Sequence, residues 1–160
     1  MKELPAETMT SIIKNHKLLI LLIAAAGVII LDQITKLLIV NFLELNKSIP
    51  LLKNIFHITL VHNYGAAFGI LQNFNLILIL ISVIVIGLII YFYDKIPDKK
   101  SVIIYTAFIF GGTISNLIDR IRIGYVTDFI DFRIWPAFNF ADTAITIGAI
   151  GLIIYLLRKK

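Results

Sequence analysis

The chain has 160 residues, of which 59% are hydrophobic, and a formal net charge of +5 at pH 7. A soluble domain is nearer ~45–50% apolar, and the excess here lies in long unbroken runs, so the composition indicates a membrane protein with several spans. The basic residues lie in short loops, which is typical of membrane topology rather than of nucleic-acid binding. Because there is no cysteine, a disulfide, a thiol nucleophile and a cysteine-ligated metal are excluded.

The apolar runs predict four transmembrane helices, at about residues 17–42, 74–93, 101–117 and 138–157. The first run could resemble a cleavable signal peptide, but it continues past the small residues 24–26, so we interpret it as a retained span. We therefore expect an all-α membrane protein, organised as one domain over residues 1–160 and built as a four-transmembrane-helix bundle.

A small β-rich extracytoplasmic lobe is predicted between helices 1 and 2, over about residues 44–73. This segment is too polar to span a membrane, and residues 54–61 are rich in β-branched and aromatic side chains. Residues 65–69 form a small-residue stretch that predicts a turn with close backbone approach.

The basic residues also predict the orientation. Four spans would place both termini and the loop at residues 94–100 on one side, which holds more of the lysines and arginines than the other side. That side is expected to be cytoplasmic. The β-rich lobe and the polar segment at residues 111–147 would then share the extracytoplasmic face.

The polar segment at residues 111–147 carries the candidate chemistry, because carboxylates near bilayer depth are costly and usually functional. Its aspartates are Asp119, Asp128, Asp131 and Asp142. A serine hydrolase is disfavoured, because Ser115 is the only serine in this segment and no histidine follows His62. His57 and His62 are a weak metal signal, so no metal site and no cofactor are predicted.

Paired carboxylates remain as candidates. Two aspartates at close range share a proton, so that one can deprotonate water while the other protonates a carbonyl or a leaving amine. The spacing alone does not choose the pair, and a proton relay or ion path would use the same residues. Asp119 adjoins Arg120, where an ion pair is the favoured interpretation. Asp32 and Lys36 are four residues apart and can pair, either as an interfacial salt bridge or as polar support for a site.

Five motifs, in order along the chain, resemble those of the lipoprotein signal peptidases, the type II signal peptidases of bacteria. They are LDQITK at 31–36, VHNYGAAFGI at 61–70, GGTISNLIDR at 111–120, VTDFIDF at 126–132 and FNFAD at 138–142. The resemblance covers nearly the whole chain. It implies an intramembrane aspartic endopeptidase that removes the signal peptide of a prolipoprotein, cleaving before a cysteine that carries diacylglycerol.

The resemblance also implies roles for individual residues. Asp128 and Asp142 match the catalytic pair. The residues that match substrate-binding or supporting positions are Asn63, Asn116, Arg120, Asn139, Asp119, Asp32 and Lys36. Two features depart from the family pattern: Ser115 stands where glycine is usual, and the segment between Asp131 and Phe138 is short.

The implied setting is the bacterial cell (inner) membrane, with the active site near the extracytoplasmic face. The expected partners are a prolipoprotein with a diacylglyceryl cysteine and membrane lipids, with no nucleic acid, and the protein is expected to be a monomer. A proton- or cation-coupled transporter is the first alternative and a non-catalytic bundle subunit the second. Four thin spans leave little room for a transport path, and a surface lobe suits the gripping of an extended peptide.

Overall fold

Four α-helices, one short 3-10 helix (Tyr93–Lys95) and three strands make up the structure, a computed structural model that describes residues 6–66 and 70–159, with side chains from residue 15 onward. The helices are α1 (Ala6–Phe42), α2 (Asn75–Tyr91), α3 (Lys100–Arg122) and α4 (Phe140–Arg158). The strands are β1 (Ser48–Leu52), β2 (Phe56–Asn63) and β3 (Val126–Asp131). The turn predicted at residues 65–69 lies partly outside the described residues.

Three helices of the described chain are long and apolar enough to cross a membrane. They are the part of α1 from Asn15 to Phe42, the whole of α3 and the whole of α4. Helix α2 is equally apolar but has 17 residues. Only Leu78 and Ser82 are buried on it, so apolar side chains cover its exposed surface. The structure is thus mostly helical, as predicted, with α2 at the lower limit of spanning length.

Helix α3 extends to Arg122, whereas the hydropathy pattern predicted an end near residue 117. The reason lies in the polar residues of its last turns. Asn116 and Asp119 are buried with hydrogen-bonding partners from α1 and α4 or β3, so the helix continues although its hydropathy falls. A hydropathy window measures apolar content and does not detect a helix end that carries a buried polar network.

The sheet is antiparallel, with the order β1-β2-β3. The predicted lobe between helices 1 and 2 supplies β1 and β2, but β3 comes from the connection between α3 and α4, which was not predicted as a strand. Val61 lies opposite Asp128, and Ile58 lies opposite Ile130. Between these pairs β2 contains one residue more than β3, which is a β-bulge beside Asp128. The sheet therefore joins the lobe directly to the aspartate-rich segment.

Helix α3 lies between α1 and α4, and glycines allow close contact on both sides. A Cβ added at Gly111 would lie 2.6 Å from the carbonyl oxygen of Ala25 on α1, and one at Gly112 would lie 2.5 Å from that of Ala141 on α4. Such distances are possible only without a side chain. Leu21, Ala25, Ile103 and Ala107 form a buried cluster between α1 and α3.

We expect Gly112→Ala to lower the thermal stability of the purified protein, because the new methyl group would meet backbone that cannot move independently. Overpacking of this kind costs ~1–3 kcal/mol, more than the ~1 kcal/mol gained from the higher helix propensity of alanine. Gly87→Ala on α2 is the matched control, since nothing lies within 4 Å of a Cβ there. Thermal unfolding in detergent measures both, and equal stability of the two variants would contradict the proposed packing constraint.

Candidate active site

A cleft of about 730 Å³ opens between the sheet and the first turns of α4. Asp128 and Asp142 both line it, together with Asn63 and Arg120. Its remaining walls are largely apolar and include Val61, Trp135, Pro136, Phe138, Ile145 and Ile147. The structure thus brings together the two aspartates that the motifs select, at the end of the helices where β3 leads into α4.

Asp128 lies in β3 and is only 1% exposed. Its two carboxylate oxygens accept hydrogen bonds from two amides. Asn63 Nδ2 donates to Oδ2 at 2.9 Å, and Asn139 Nδ2 donates to Oδ1 at 2.7 Å. Asn63 is itself fixed, because the backbone N–H of Gly65 donates to its Oδ1 at 2.9 Å. The sheet and the residue before α4 therefore hold this carboxylate from both sides.

Asp142 belongs to the capping box that starts α4. Asn139 is the N-cap residue, and its Oδ1 accepts from the backbone N–H of Asp142 at 2.8 Å, while Asp142 Oδ2 accepts from the backbone N–H of Asn139 at 3.3 Å. The other oxygen of Asp142 accepts from Asn116 Nδ2 at 2.8 Å. Helix initiation and the placement of this carboxylate thus use the same hydrogen bonds.

Asn139 and Asn116 link the two carboxylates. Asn139 Nδ2, which donates to Asp128, lies 3.2 Å from Asn116 Oδ1, and Asn116 in turn donates to Asp142. Burial and the nearby charge of Asp142 raise the pKa of Asp128 to about 7, although hydrogen bonds from Asn63 and Asn139 and the charge of Lys36 oppose this. A pair with this electrostatic coupling can hold one proton near neutral pH.

A buried ion network lies beneath the pair. Lys36 Nζ is 2.6 Å from Asp32 Oδ2 and 2.8 Å from Asp119 Oδ2, and it donates to Asn116 Oδ1 at 3.0 Å. Lys36 is 4% exposed and Asp32 is fully buried. The predicted Asp32–Lys36 pair is therefore present, and it reaches the amide that contacts Asp142. This favours polar support over an interfacial salt bridge.

Asp32 also anchors the start of α4. Its Oδ1 accepts from the backbone N–H of Ala141 at 2.9 Å, and its Oδ2 accepts from Ser115 Oγ at 2.7 Å. A carboxylate at a helix N-terminus is favourable because free N–H groups and the helix dipole both attract it. Ser115 is fully buried and supplies a hydrogen bond to this network.

The ion pair predicted for Asp119 is present, but Arg120 is not its partner. Asp119 pairs instead with Lys36, and it accepts from Gln33 Nε2 at 2.8 Å and from the backbone N–H of Thr127 at 3.2 Å. Adjacent residues on a helix point in different directions, so Asp119 faces α1 and β3. Arg120 faces the cleft, and its Nη2 donates to the backbone oxygen of Gly65 at 3.3 Å.

Gln33 is a site residue that sequence reasoning missed. It donates to Asp119 and also to Ser115 Oγ at 3.1 Å. The sequence does contain a signal for Gln33. It lies beside Asp32 in the LDQITK motif, and these two residues form a polar pair in an otherwise apolar helix. Its partners, however, are more than eighty positions away along the chain, so spacing could not reveal them.

Asp131 lies outside the cleft and has a cationic neighbour. Thr59 Oγ1 donates to its Oδ2 at 2.7 Å, and Arg133 Nη1 is 3.1 Å from the same oxygen. Burial alone would raise the pKa of Asp131, but the hydrogen bonds from Thr59 and Arg133 and the charge of Arg133 hold it below the usual value. Asp32, Asp119 and Asp131 thus have ion-pair partners, whereas Asp128 and Asp142 are held by amides and peptide N–H groups.

Neither lobe histidine approaches a set of metal ligands. His62 stacks on Tyr125 with ring centroids 3.9 Å apart, and His57 Nδ1 lies 2.9 Å from Ser48 Oγ. Within residues 6–66 and 70–159, no group of three or more histidine, aspartate or glutamate side chains could hold a metal ion. The carboxylate pair is the chemistry that the described cleft offers.

The apolar helices indicate a membrane-embedded protein, and comparison with known families identifies its class as a peptidase. Residues 24–158 match the family model described as signal peptidase (SPase) II. The chain belongs to this family, the lipoprotein signal peptidases, as the motifs predicted. Membership confirms the enzyme prediction over the transporter and bundle-subunit alternatives.

Relatives and solved structures agree with this assignment. The lipoprotein signal peptidase of Halothermothrix orenii is 48% identical over 133 residues, which are 83% of this chain and 92% of that protein. That of Caldanaerobacter subterraneus subsp. tengcongensis is 48% identical over 82% of this chain and 91% of its own length. A solved bacterial membrane enzyme at 34% identity superposes with a TM-score of 0.82, covering 86% of this chain and 87% of that one.

Proposed function

We propose that this protein cleaves diacylglyceryl-modified prolipoproteins immediately before the lipidated cysteine, with Asp128 and Asp142 as the catalytic pair. Family membership gives the removal of signal peptides from prolipoproteins. One observation carries the choice of residues: these two aspartates line the same cleft and are joined through Asn139 and Asn116, while the other buried aspartates have cationic partners.

The proposed mechanism uses one proton shared by the pair. The ionised carboxylate removes a proton from water as that water attacks the scissile carbonyl carbon. The protonated carboxyl stabilises the developing oxyanion and then transfers its proton to the leaving amine. Asn63 and Asn139 fix the orientation of Asp128, and the capping box fixes Asp142, so little reorganisation is needed during the reaction.

The cleft walls suit a lipidated peptide. Arg120 and Asn63 offer donors for peptide carbonyl oxygens, and apolar side chains such as Val61, Ile145 and Trp135 offer a surface for the signal peptide and for acyl chains. The lipid anchor of the substrate would keep the scissile bond at one depth in the bilayer. We also propose that the working unit is a monomer.

Cleavage of a purified prolipoprotein tests the proposed function. We expect the detergent-purified protein to cleave a diacylglyceryl-modified prolipoprotein in the presence of EDTA and without ATP or an ion gradient. The same prolipoprotein without the lipid should remain uncut, and mass spectrometry of the products should place the new N-terminus at the cysteine. Loss of activity in EDTA that one divalent ion restores would contradict the two-aspartate mechanism.

We further propose that α2 is a fourth span, so that residues 1–160 form one domain with four transmembrane helices. Its 17 residues cover roughly 25 Å, slightly less than the ~30 Å hydrocarbon core. Phe74, Tyr91 and Phe92 at its ends are exposed and suit the membrane interface. Because apolar side chains cover its outer surface, lipid is the environment that its composition favours.

With four spans, both termini lie on the same side of the bacterial cell membrane and the lobe lies on the other. The excess of basic residues makes the side of the termini the cytoplasmic one. Reporter fusions at Lys47, before β1, and at Lys160 should therefore report opposite sides of the membrane. Alkaline phosphatase is active only outside the cytoplasm. Green fluorescent protein fluoresces only when it remains in the cytoplasm, so each fusion site can be tested with both reporters. Two fusions on the same side would show that α2 or another helix does not span.

A further inference from the structure

A second cavity, of about 300 Å³, lies at the opposite end of α3 and α4 from the cleft. Ser101 near the start of α3 lines it, whereas Asp119 near the end of α3 belongs to the network under the candidate active site. These positions are roughly 27 Å apart along the helix axis. The full lining is Lys99, Ser101, Tyr105, Gly151, Ile154, Tyr155, Arg158 and Lys159.

The basic residues of this cavity give it a positive charge. Lys99, Arg158 and Lys159 are exposed, and within the described part of the chain none of them forms an ion pair. The neighbouring carboxylate of Asp98 is engaged elsewhere, at 3.3 Å from Lys17 Nζ. Lys99 Nζ lies 5.2 Å from the centroid of the Tyr155 ring, which holds its charge at the cavity wall. An anion is the ligand that this arrangement attracts.

The cavity has a fixed floor. Gly151 is buried, and a Cβ there would lie 2.6 Å from carbon atoms of the Tyr105 ring, so this ring packs directly on the backbone of α4. Tyr105, Tyr155 and Ser101 add hydroxyl groups to the basic side chains. Arginine and hydroxyl donors together suit a phosphate group, because guanidinium can bind two phosphate oxygens at once.

The surroundings are apolar and open to the bilayer. Ile154 lines the cavity and is 45% exposed, and its neighbours Ile153 and Leu157 are more than half exposed. A ligand at this position would have its charged part among basic residues and its remainder along an apolar helix surface. We propose that this cavity binds the phosphate headgroup of an anionic phospholipid, in the leaflet opposite the candidate active site.

Lipid titration by native mass spectrometry tests the proposal. The probes are phosphatidylglycerol, phosphatidylcholine and inorganic phosphate, added to the full-length protein in neutral detergent. We expect phosphatidylglycerol to bind at least about ten-fold more tightly than zwitterionic phosphatidylcholine, and inorganic phosphate to compete only at far higher concentration. Arg158→Gln and Lys99→Gln should each weaken phosphatidylglycerol binding roughly five-fold.

Lys95→Gln is the matched control, because it removes the same charge near the same membrane face from a residue that does not line the cavity. Its binding of phosphatidylglycerol should equal that of the unmodified chain. All three variants change exposed residues, and unchanged thermal unfolding without lipid would show that they are folded. In a second measurement, phosphatidylglycerol should raise the unfolding temperature of the unmodified chain but not that of the Lys99→Gln/Arg158→Gln double variant.

Three outcomes would overturn the proposal. Equal affinity for the two lipids would remove the anionic selectivity. An effect of Lys95→Gln as large as that of Arg158→Gln would assign the binding to the general charge of this face. If inorganic phosphate competed at the same concentration as the lipid, the ligand of this cavity would be free phosphate and not a lipid headgroup.

Discussion

Asp128→Asn and Asp142→Asn should each abolish turnover of a lipidated prolipoprotein while the substrate still binds. Asparagine keeps the size of the side chain and one of its two accepting oxygens but cannot titrate, so the pair can no longer act as base and acid. General acid–base assistance is worth ~10²–10⁴-fold, and loss of a shared pair should cost at least that. The double variant should be little slower than either single variant, because the two groups act as one unit.

Asp131→Asn is the matched control for this experiment. Asp131 lies three residues after Asp128 in β3, but it pairs with Arg133 outside the cleft, so its variant should keep most of the activity. The measurement is single-turnover cleavage by variants whose unfolding temperature equals that of the unmodified chain. If either Asp128→Asn or Asp142→Asn keeps more than about a tenth of the rate, far short of the loss expected for general acid–base chemistry, the assignment of the pair fails.

The same pair should determine the pH dependence. Because the pKa of Asp128 is raised to about 7 by burial and by Asp142, one proton remains on the pair at neutral pH. As pH rises through about 7 that proton is lost and the general acid with it, so the rate should fall on the alkaline side. Stability should also fall as pH rises. The folded chain binds this proton more tightly than the unfolded chain, so the free energy of unfolding should decrease as pH rises from about 4 to about 7.

Lys36→Met should cause the largest loss of stability of any single change in the ion network. Lys36 lies between two buried carboxylates, those of Asp32 and Asp119, and its removal leaves both uncompensated. Breaking a buried ion pair in this way costs ~3–5 kcal/mol. Thermal unfolding in detergent measures the loss, and activity should fall with it, because Lys36 also holds Asn116 beside Asp142.

A second substitution separates the charge effect from lost packing. In the Lys36→Met background, Asp119→Asn removes one of the two uncompensated charges, and the asparagine oxygen can still accept from one of the two donors, Gln33 Nε2 or the backbone N–H of Thr127. The double variant should therefore be more stable than Lys36→Met alone. Lys53→Met, at an exposed position between β1 and β2, is the control and should change little. If the two changes simply add, the buried charges are not the cause.

Hydropathy and side-chain pattern predicted the positions of the helices and of the β-rich lobe, because both signals are local in sequence. Strand β3 was not predicted, because its sequence VTDFID combines carboxylates with apolar residues. This local pattern is typical of a loop between two helices. The segment becomes a strand only because β2 offers it a partner. The partner of Asp119 was missed for a similar reason, since Lys36 is remote in sequence.

The candidate site was predicted by motif and not by spacing. Four aspartates between residues 111 and 147 satisfied the same chemical argument. What distinguishes Asp128 and Asp142 in the structure is the identity of their partners, amides in place of cations. Such partners come from α3, β2 and the residue before α4, so they are known only once the chain is folded.

The pairing of β3 with β2, which holds Asp128 at the cleft, has a consequence for where the chain can be lengthened. Successive side chains in a strand point to opposite faces, so one residue inserted between Gly124 and Asp128 would turn the carboxylate away from the cleft. The turn at residues 53–55 is exposed and precedes the β2–β3 pairing. An epitope tag inserted there would leave the pairing intact, which makes this turn the suitable position for labelling the active enzyme in cells.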